Sequence, residues 1–248
     1  MKKNILALVA IASSMMIACD ENNNGGSDTT PIQGTVFLPK KMVEKNGGDT
    51  ITYTFTYDNE NRLISEKSEE VKTGQPTEIT EKTFSYSGNF LTGFVEKTTI
   101  NGNVTTKNYS FEKQGNSIIA KEDGIYDFSL NINDKNQVVS IGVTNFTYDT
   151  YGNITTIESN SDKTTFTYDN KNGIFKNVAM QPWMNVIIDD SFYPFYMINN
   201  IIKVHFLEKD DNTEETRNIS IQYNTNGYPV KMTLIEENST VEIEYQVK

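Results

Sequence analysis

Cysteine and histidine are almost absent from this chain, which limits the chemistry it can perform. Its 248 residues include one cysteine, Cys19, and one histidine, His205. A lone cysteine excludes an intramolecular disulfide, and two such residues are too few for a typical zinc site. A Ser-His-Asp hydrolase would have to use His205, and the chain has no Gly-x-Ser-x-Gly motif. We therefore predict no catalytic residue, no metal site and a protein that is not an enzyme.

Basic residues are also scarce, and long apolar runs are confined to one place. The chain has 22 Lys and Arg against 33 Asp and Glu, a net charge of -11 and a mean hydropathy of -0.51. This acidic excess argues against nucleic acid as a partner and against electrostatic binding to anionic lipid headgroups. The one long apolar run, residues 5–17, is too short to span a bilayer.

That apolar run belongs to a secretory signal. Lys2 and Lys3 precede it and Ala18 follows it, the basic, apolar and small-residue order of a signal peptide, here residues 1–18. The segment Met16-Ile17-Ala18-Cys19 resembles the lipobox of bacterial lipoproteins, in which cleavage before the cysteine is followed by its acylation. The resemblance implies a covalent lipid on Cys19 and attachment to a membrane through that lipid. Loss of the two signal lysines changes the net charge to -13.

Residues 19–33 predict a flexible tether. They contain "NNNGGSDTTP", a polar segment rich in Gly and Asn that has nothing to bury. Asp20 and Glu21 resemble the export signal that sends some Gram-negative lipoproteins to the outer leaflet of the outer membrane. We therefore expect an outer-membrane lipoprotein that faces the cell exterior, with a periplasm-facing position as the alternative.

The remaining residues, 34–248, repeat one phrase. In "ITYTFTYD" aromatic and aliphatic residues occupy one parity and threonines the other, which is typical of a strand with one buried face. The phrase returns as "NFTYD" from Asn145, as "TFTYD" from Thr165 and more loosely elsewhere. Asn, Asp and Gly follow each Tyr and favour tight turns, as in "DTYGN" from Asp149. Each phrase therefore predicts a strand, a turn and a returning strand.

These residues resemble a known repeat. Tyr-Asp-x-x-Gly-Asn-Ile at residues 148–154, and its looser copies at Tyr57, Tyr168 and Tyr223, look like the YD repeat of RHS-type proteins. A signal-bearing chain of this size with such hairpins is similar to a Gram-negative lipoprotein family of unknown function with a porin-like β fold. The resemblance implies a fold and no reaction.

Consecutive hairpins without helical crossovers favour an all-β, antiparallel up-and-down meander in a single domain. Its apolar face must be covered, so we expect a strongly curved sheet or one closed into a barrel. A membrane barrel would turn that apolar face to lipid. The lipobox, the low hydropathy and the alternating glutamates of "STVEIEYQVK" argue instead that the aromatics face the interior and that Thr, Glu and Lys face water.

An aromatic insert at about residues 175–200 interrupts the repeat and holds the only tryptophan. Its rings could stack on a sugar, and two of its carboxylates could accept hydrogen bonds from hydroxyl groups, which makes them candidate ligand-binding residues. The alternative is that the insert fills the end of the curled sheet with large apolar groups. The candidate ligand-binding residues are Trp183, Tyr193, Tyr196, Asp189 and Asp190.

Three functions remain open on the sequence alone. The first is a non-enzymatic envelope module that binds a glycan or a protein at the cell surface. The second is an enzyme that acts on extracellular polysaccharide, and the third is a structural component of an envelope assembly. No cofactor is expected apart from the lipid. The turns that start at Asp58, Asp149 and Asp169 offer oxygen ligands for calcium, but none has the spacing of a calcium loop.

Overall fold

A computed structural model describes residues 35–187 and 197–248, and these form a closed antiparallel barrel. Every strand pairs with its neighbours in the chain, and the first strand pairs with the last, so that the order is that of an up-and-down meander. The predicted all-β meander is confirmed, and the sheet closes. The sixteen strands are β1 (Phe37–Asn46), β2 (Asp49–Tyr57), β3 (Leu63–Val71), β4 (Glu78–Ser87), β5 (Phe90–Ile100), β6 (Asn103–Gln114), β7 (Ser117–Glu122), β8 (Ile125–Ile132), β9 (Val138–Ile141), β10 (Thr144–Tyr148), β11 (Ile154–Glu158), β12 (Asp162–Tyr168), β13 (Ile201–Glu208), β14 (Thr213–Tyr223), β15 (Pro229–Leu234) and β16 (Ser239–Val247).

The only helical element in the described residues is a short 3-10 helix, Pro182–Val186, within the insert. None of the described residues forms a helix long and apolar enough to cross a membrane.

The two ends of the barrel differ in their connections. One end, here called the insert end, carries the start of β1, the end of β16, the insert between β12 and β13, and the turns that follow the repeat tyrosines. The opposite end, here called the open end, carries mostly short hairpin turns such as Asn101-Gly102 and Asp123-Gly124, whose four residues all have positive φ. Because strand direction alternates around a meander, all copies of the Tyr-Asp phrase reach the same end.

The repeat tyrosines clamp neighbouring strands together. Each stands at or near the end of a strand that runs toward the insert end, and its hydroxyl donates to a backbone carbonyl near the start of the preceding strand. Burial raises the pKa of the Tyr148 and Tyr168 hydroxyls, which therefore stay protonated and able to donate. The bonds are Tyr57 to Pro39 (2.8 Å), Tyr86 to Leu63 (2.8 Å), Tyr148 to Val138 (2.8 Å), Tyr168 to Ile154 (2.6 Å) and Tyr245 to Pro229 (3.0 Å).

The Asp or Asn after the strand organises the turn. In the Asp149 turn, carboxylate Oδ1 accepts the backbone N–H groups of Tyr151, Gly152 and Asn153 at 2.8 to 2.9 Å. Gly152 has φ +102°, a left-handed conformation that favours glycine. In the turns at Asp58, Asn133 and Asn224, the side-chain Oδ1 likewise accepts hydrogen bonds from backbone N–H groups two and four residues later. These oxygens already accept amide hydrogens, which explains the repeat without calcium.

The outward side chains are mainly polar. Thr54 and Thr56 on β2, and Glu242 and Glu244 on β16, are exposed, as the alternation predicts. The prediction that charged residues face only water is wrong for part of the wall. Glu66 of β3 lies opposite Phe55 and is 2% exposed, and Lys82 of β4 lies opposite Glu66 and is 9% exposed. Residues directly opposite each other in an antiparallel pair point to the same face, so these charges line the interior.

Candidate functional site

The described part of the insert, residues 169–187 and 197–200, fills one end of the barrel. It leaves β12 at Asp169 and returns to β13 at Asn200, and Asn200 occupies the place that Asn153 has in the Asp149 turn: its backbone N–H donates to Asp169 Oδ1 at 3.0 Å. Its side chain donates to Asp169 Oδ2 at 3.1 Å. The insert is therefore an expanded repeat turn, and Asp169 bonds its last residue as Asp149 does in the shorter turn.

The described part of the insert crosses the barrel and packs on the opposite wall. Phe175 makes an edge-to-face contact with Phe55 of β2, with 5.4 Å between ring centroids. The backbone N–H of Ala179 donates to the carbonyl of Asn61 at 2.9 Å, and Asn177 donates to the carbonyl of Phe37 at 3.1 Å. The end is filled by apolar side chains of the insert that are buried in the core: Ile174, Phe175, Val178, Trp183, Met184 and Met197.

Trp183 lies inside this packing. Its side chain is 0% exposed, and its ring centroid is 5.5 Å from those of Phe90 and Phe111. Its indole N–H donates to Gln181 Oε1 at 2.5 Å, which satisfies its one polar group. Trp183 therefore fills the end of the barrel, the alternative that the sequence left open, because no face of its ring is open to a sugar. The other candidate residues, Tyr193, Tyr196, Asp189 and Asp190, lie outside the described residues, as does Cys19.

The interior near the open end is charged. Besides the Glu66–Lys82 pair at 3.7 Å, Lys107 of β6 binds Glu122 of β7 at 2.9 Å. Arg217 of β14, 6% exposed, lies 2.6 Å from Glu215 and 2.7 Å from Glu237. Burial of a charge is costly unless the charge is paired and hydrogen-bonded, and these pairs supply partners within the wall.

A cavity of about 280 Å³ lies among these charges, against the wall formed by β2 to β5. Carboxylates outnumber the single ammonium group in its lining, and hydroxyl groups fill the spaces between them. Such a lining offers hydrogen bonds to a ligand that carries hydroxyl or amino groups. The lining residues are Ile51, Tyr53, Ser68, Glu70, Glu78, Thr80, Lys82, Glu96 and Thr98.

Sequence reasoning missed this open end. It placed the candidate site in the aromatic insert because large rings stand out, whereas the cavity is lined mainly by Glu, Thr and Ser residues, which also occur on outer faces. A signal was present in β3, "LISEKSEEV", where the residues that share a face with Glu66 are Ser68 and Glu70 and no apolar alternation exists. A strand that must face a barrel interior with such residues predicts a polar interior.

His205 lies on the outer surface, away from the cavity. Its Nε2 is 3.4 Å from Glu214 Oε2, and its side chain is 37% exposed. No group of three or more His, Cys, Asp and Glu in the described ranges is arranged to hold a metal ion.

Comparison with known proteins shows similarity in structure only. No family model matches the chain, and no curated protein matches it significantly. A crystal structure of a porin-like protein from Bacteroides vulgatus is similar with a TM-score of 0.45 and 13% identity, over 85% of this chain and 99% of that one. A porin-like protein from Bacteroides uniformis is similar with a TM-score of 0.46 and 12% identity, over 86% of this chain and 98% of that one.

Proposed function

We propose that this protein is a lipid-anchored component of the bacterial outer membrane, facing the cell exterior, and that its barrel is a non-enzymatic module that binds a glycan or a protein. The observation that carries the proposal is the asymmetry of the barrel. One end is filled by the insert, whereas the other opens on a charged cavity of about 280 Å³. A barrel filled at one end is suited to holding a ligand rather than to conducting one.

The residues on the outer face support the proposal that the barrel is surrounded by water and not by lipid. A strand barrel that crosses a lipid bilayer turns outward an apolar band about 25 Å tall. Here the outward positions of β2 carry threonine, and those of β16 carry Glu242 and Glu244. Membrane attachment then depends on a lipid at Cys19, the cysteine of the lipobox-like segment.

The anchor is tested by the substitution Cys19→Ser. The serine hydroxyl replaces the thiol that receives the lipid, so we expect the variant to lose acyl mass and to leave the outer-membrane fraction. The measurement is mass spectrometry of the N-terminal peptide together with membrane fractionation. The conservative substitution Ser14→Ala within the signal is the control and should change neither result. Membrane association that persists without acyl mass would disprove the anchor.

Binding at the open end is tested by a glycan array probed with the mature protein. We expect retention of a glycan with amino or hydroxyl groups, and at least about tenfold weaker binding after Glu78→Gln, because that change removes a charge from the cavity lining. Glu244→Gln is the matched control, since Glu244 is exposed on the outer face of β16. Equal binding by both variants would place the ligand elsewhere.

A further inference from the structure

Strand β6 extends further toward the open end than its neighbour β7 does. It pairs with β5 from Asn103 to Ser110, but its pairing with β7 begins only at Tyr109, opposite Glu122. Asp123 extends the contact by one step, since its backbone N–H donates to the carbonyl of Asn108 at 2.7 Å. No described residue pairs with the β7-facing edge of β6 between Asn103 and Lys107.

The bonds of Asn108 fix which backbone groups point to this edge. The carbonyl of Asn108 accepts a hydrogen bond from the backbone N–H of Asp123. The backbone N–H of Asn108 donates to Asp123 Oδ1 at 3.0 Å, so both backbone groups of Asn108 face away from β5. Backbone direction alternates along a strand, and therefore the N–H and carbonyl groups of Thr106 and Val104 face the same way. These two residues present two donors and two acceptors to the open side, a template for one more strand.

Two exposed apolar side chains lie on the outward surface beside this edge. Val104 is 61% exposed on β6, and Tyr126 (61%) lies near the start of β8, opposite Lys121 and just after the turn at Asp123-Gly124. A strand added beside β6 would lie above that turn and place its outward side chains near Val104 and Tyr126. Exposed apolar groups clustered beside free strand edges are typical of sites that receive another chain.

The inward surface beside the same edge is acidic. Lys107 faces the interior and is paired with Glu122, and Glu96 lies opposite Lys107 on β5. Glu96, Glu122 and Asp127 all raise the pKa of Tyr109, after burial, because their negative charges lie near its hydroxyl. Three carboxylates against one ammonium favour basic side chains on the inward face of an added strand.

We propose that the free edge of β6 binds an extended segment of a partner polypeptide, which adds one strand to the barrel wall with apolar side chains outward and basic side chains inward. This deepens the proposed function by making the partner a protein, and it rests on that function. Charge favours a foreign, basic segment over a second copy, since each mature copy carries a net charge of -13 after loss of the two signal lysines.

A second free edge supplies a control. β14 pairs with β13 from Thr213 onward but with β15 only from Ile219, which leaves the β15-facing edge of Glu214 and Thr216 unpaired among the described residues. The backbone geometry is the same, but the flanking side chains are acidic: Glu214 is on the edge itself, and Glu236 binds Asn218 at 2.9 Å. The apolar surface beside this edge is limited to Ile235, which is 57% exposed, whereas the β6 edge has Val104 and Tyr126.

The experiment uses the mature protein and a blocked eight-residue peptide of alternating Lys and Val as the probe. Residues directly opposite each other point to the same face, so the peptide's valines lie opposite Val104 and Thr106 and donate to them. We expect binding in a titration, and slower amide exchange at Val104 and Thr106. N-methylation of the valines should abolish binding, whereas N-methylation of the lysines should preserve it.

Variants of the protein complete the test. Thr106→Pro removes an edge N–H that bonds no described residue, and we expect it to weaken peptide binding at least about tenfold. Thr106→Ala keeps that N–H, and Thr216→Pro makes the same change on the β14 edge, so both should bind as the parent does. If Thr106→Pro does not fold, the two N-methylated peptides decide the question on the unaltered protein.

Three results would overturn the proposal: no binding of the alternating peptide, equal loss with both N-methylated peptides, or a dimer of the parent that Thr106→Pro abolishes. The last would assign the edge to a second copy of this chain. Glycan binding that depends on Glu78 while the peptide fails to bind would overturn this inference and leave the proposed function standing.

Discussion

Replacing Tyr148 by alanine is expected to lower the free energy of unfolding by about 3 kcal/mol, the lower end of the range for truncating a large aromatic side chain, because Tyr148 is partly buried. The ring packs against the core from the end of β10, and its hydroxyl donates to the carbonyl of Val138 at 2.8 Å. The alanine variant loses both the packing and the clamp between β9 and β10. Denaturant midpoints of the purified mature protein measure the loss.

Tyr148→Phe separates the two contributions. It keeps the ring but leaves the carbonyl of Val138 without the hydroxyl, and an unsatisfied buried acceptor costs about 1 to 3 kcal/mol. The matched control is Tyr151→Ala, three residues along the same turn, because Tyr151 is 76% exposed and should lose little. If Tyr148→Ala were as stable as the parent, the clamp would contribute nothing to the barrel.

The sequence predicted the hairpins well because their cause is local. Aromatic residues alternate with threonine on β2, β10 and β12, and this period of two is set by strand geometry. The turns were predictable for the same reason, since Asp149 and Gly152 organise theirs through contacts within five residues. Even the gathering of all repeat turns at one end follows from the alternation of strand direction.

Closure of the sheet could not be derived from local signals. The pairing of β1 with β16 joins Phe37 to Val247 across the whole chain, and nothing near either residue specifies it. The number of strands could not be predicted from the repeat either, because β8 and β9 carry only a loose form of it. What decides closure is the need to cover one continuous apolar face, a property of the entire sheet.

The candidate site was the least predictable part. A glutamate on an outer strand face and a glutamate in a barrel interior look alike in sequence, and only the register of β3 against β2 places Glu66 opposite Phe55. For Trp183 the sequence left two roles open, a ligand contact and a filler of the barrel end. A lone tryptophan in an insert drew attention as a ligand platform, whereas its 0% exposure reflects packing between Phe90 and Phe111.

Replacing Trp183 by alanine should therefore destabilise the barrel by about 3 to 5 kcal/mol, as expected for a buried aromatic ring whose cavity is not refilled. The ring links the insert to β5 and β6, so its loss loosens the plug as well as the core. Denaturant unfolding measures the change.

The control for Trp183→Ala is Ile198→Ala, which lies in the same insert but is 42% exposed and should cost far less. A Trp183→Ala protein of parental stability that no longer retained a glycan would reverse this conclusion and make the indole a ligand contact. Loss of stability with glycan binding preserved at low denaturant would instead confirm that the insert's role is to close the barrel. The ligand would then be held by the charged open end, because that is where the wall leaves a cavity.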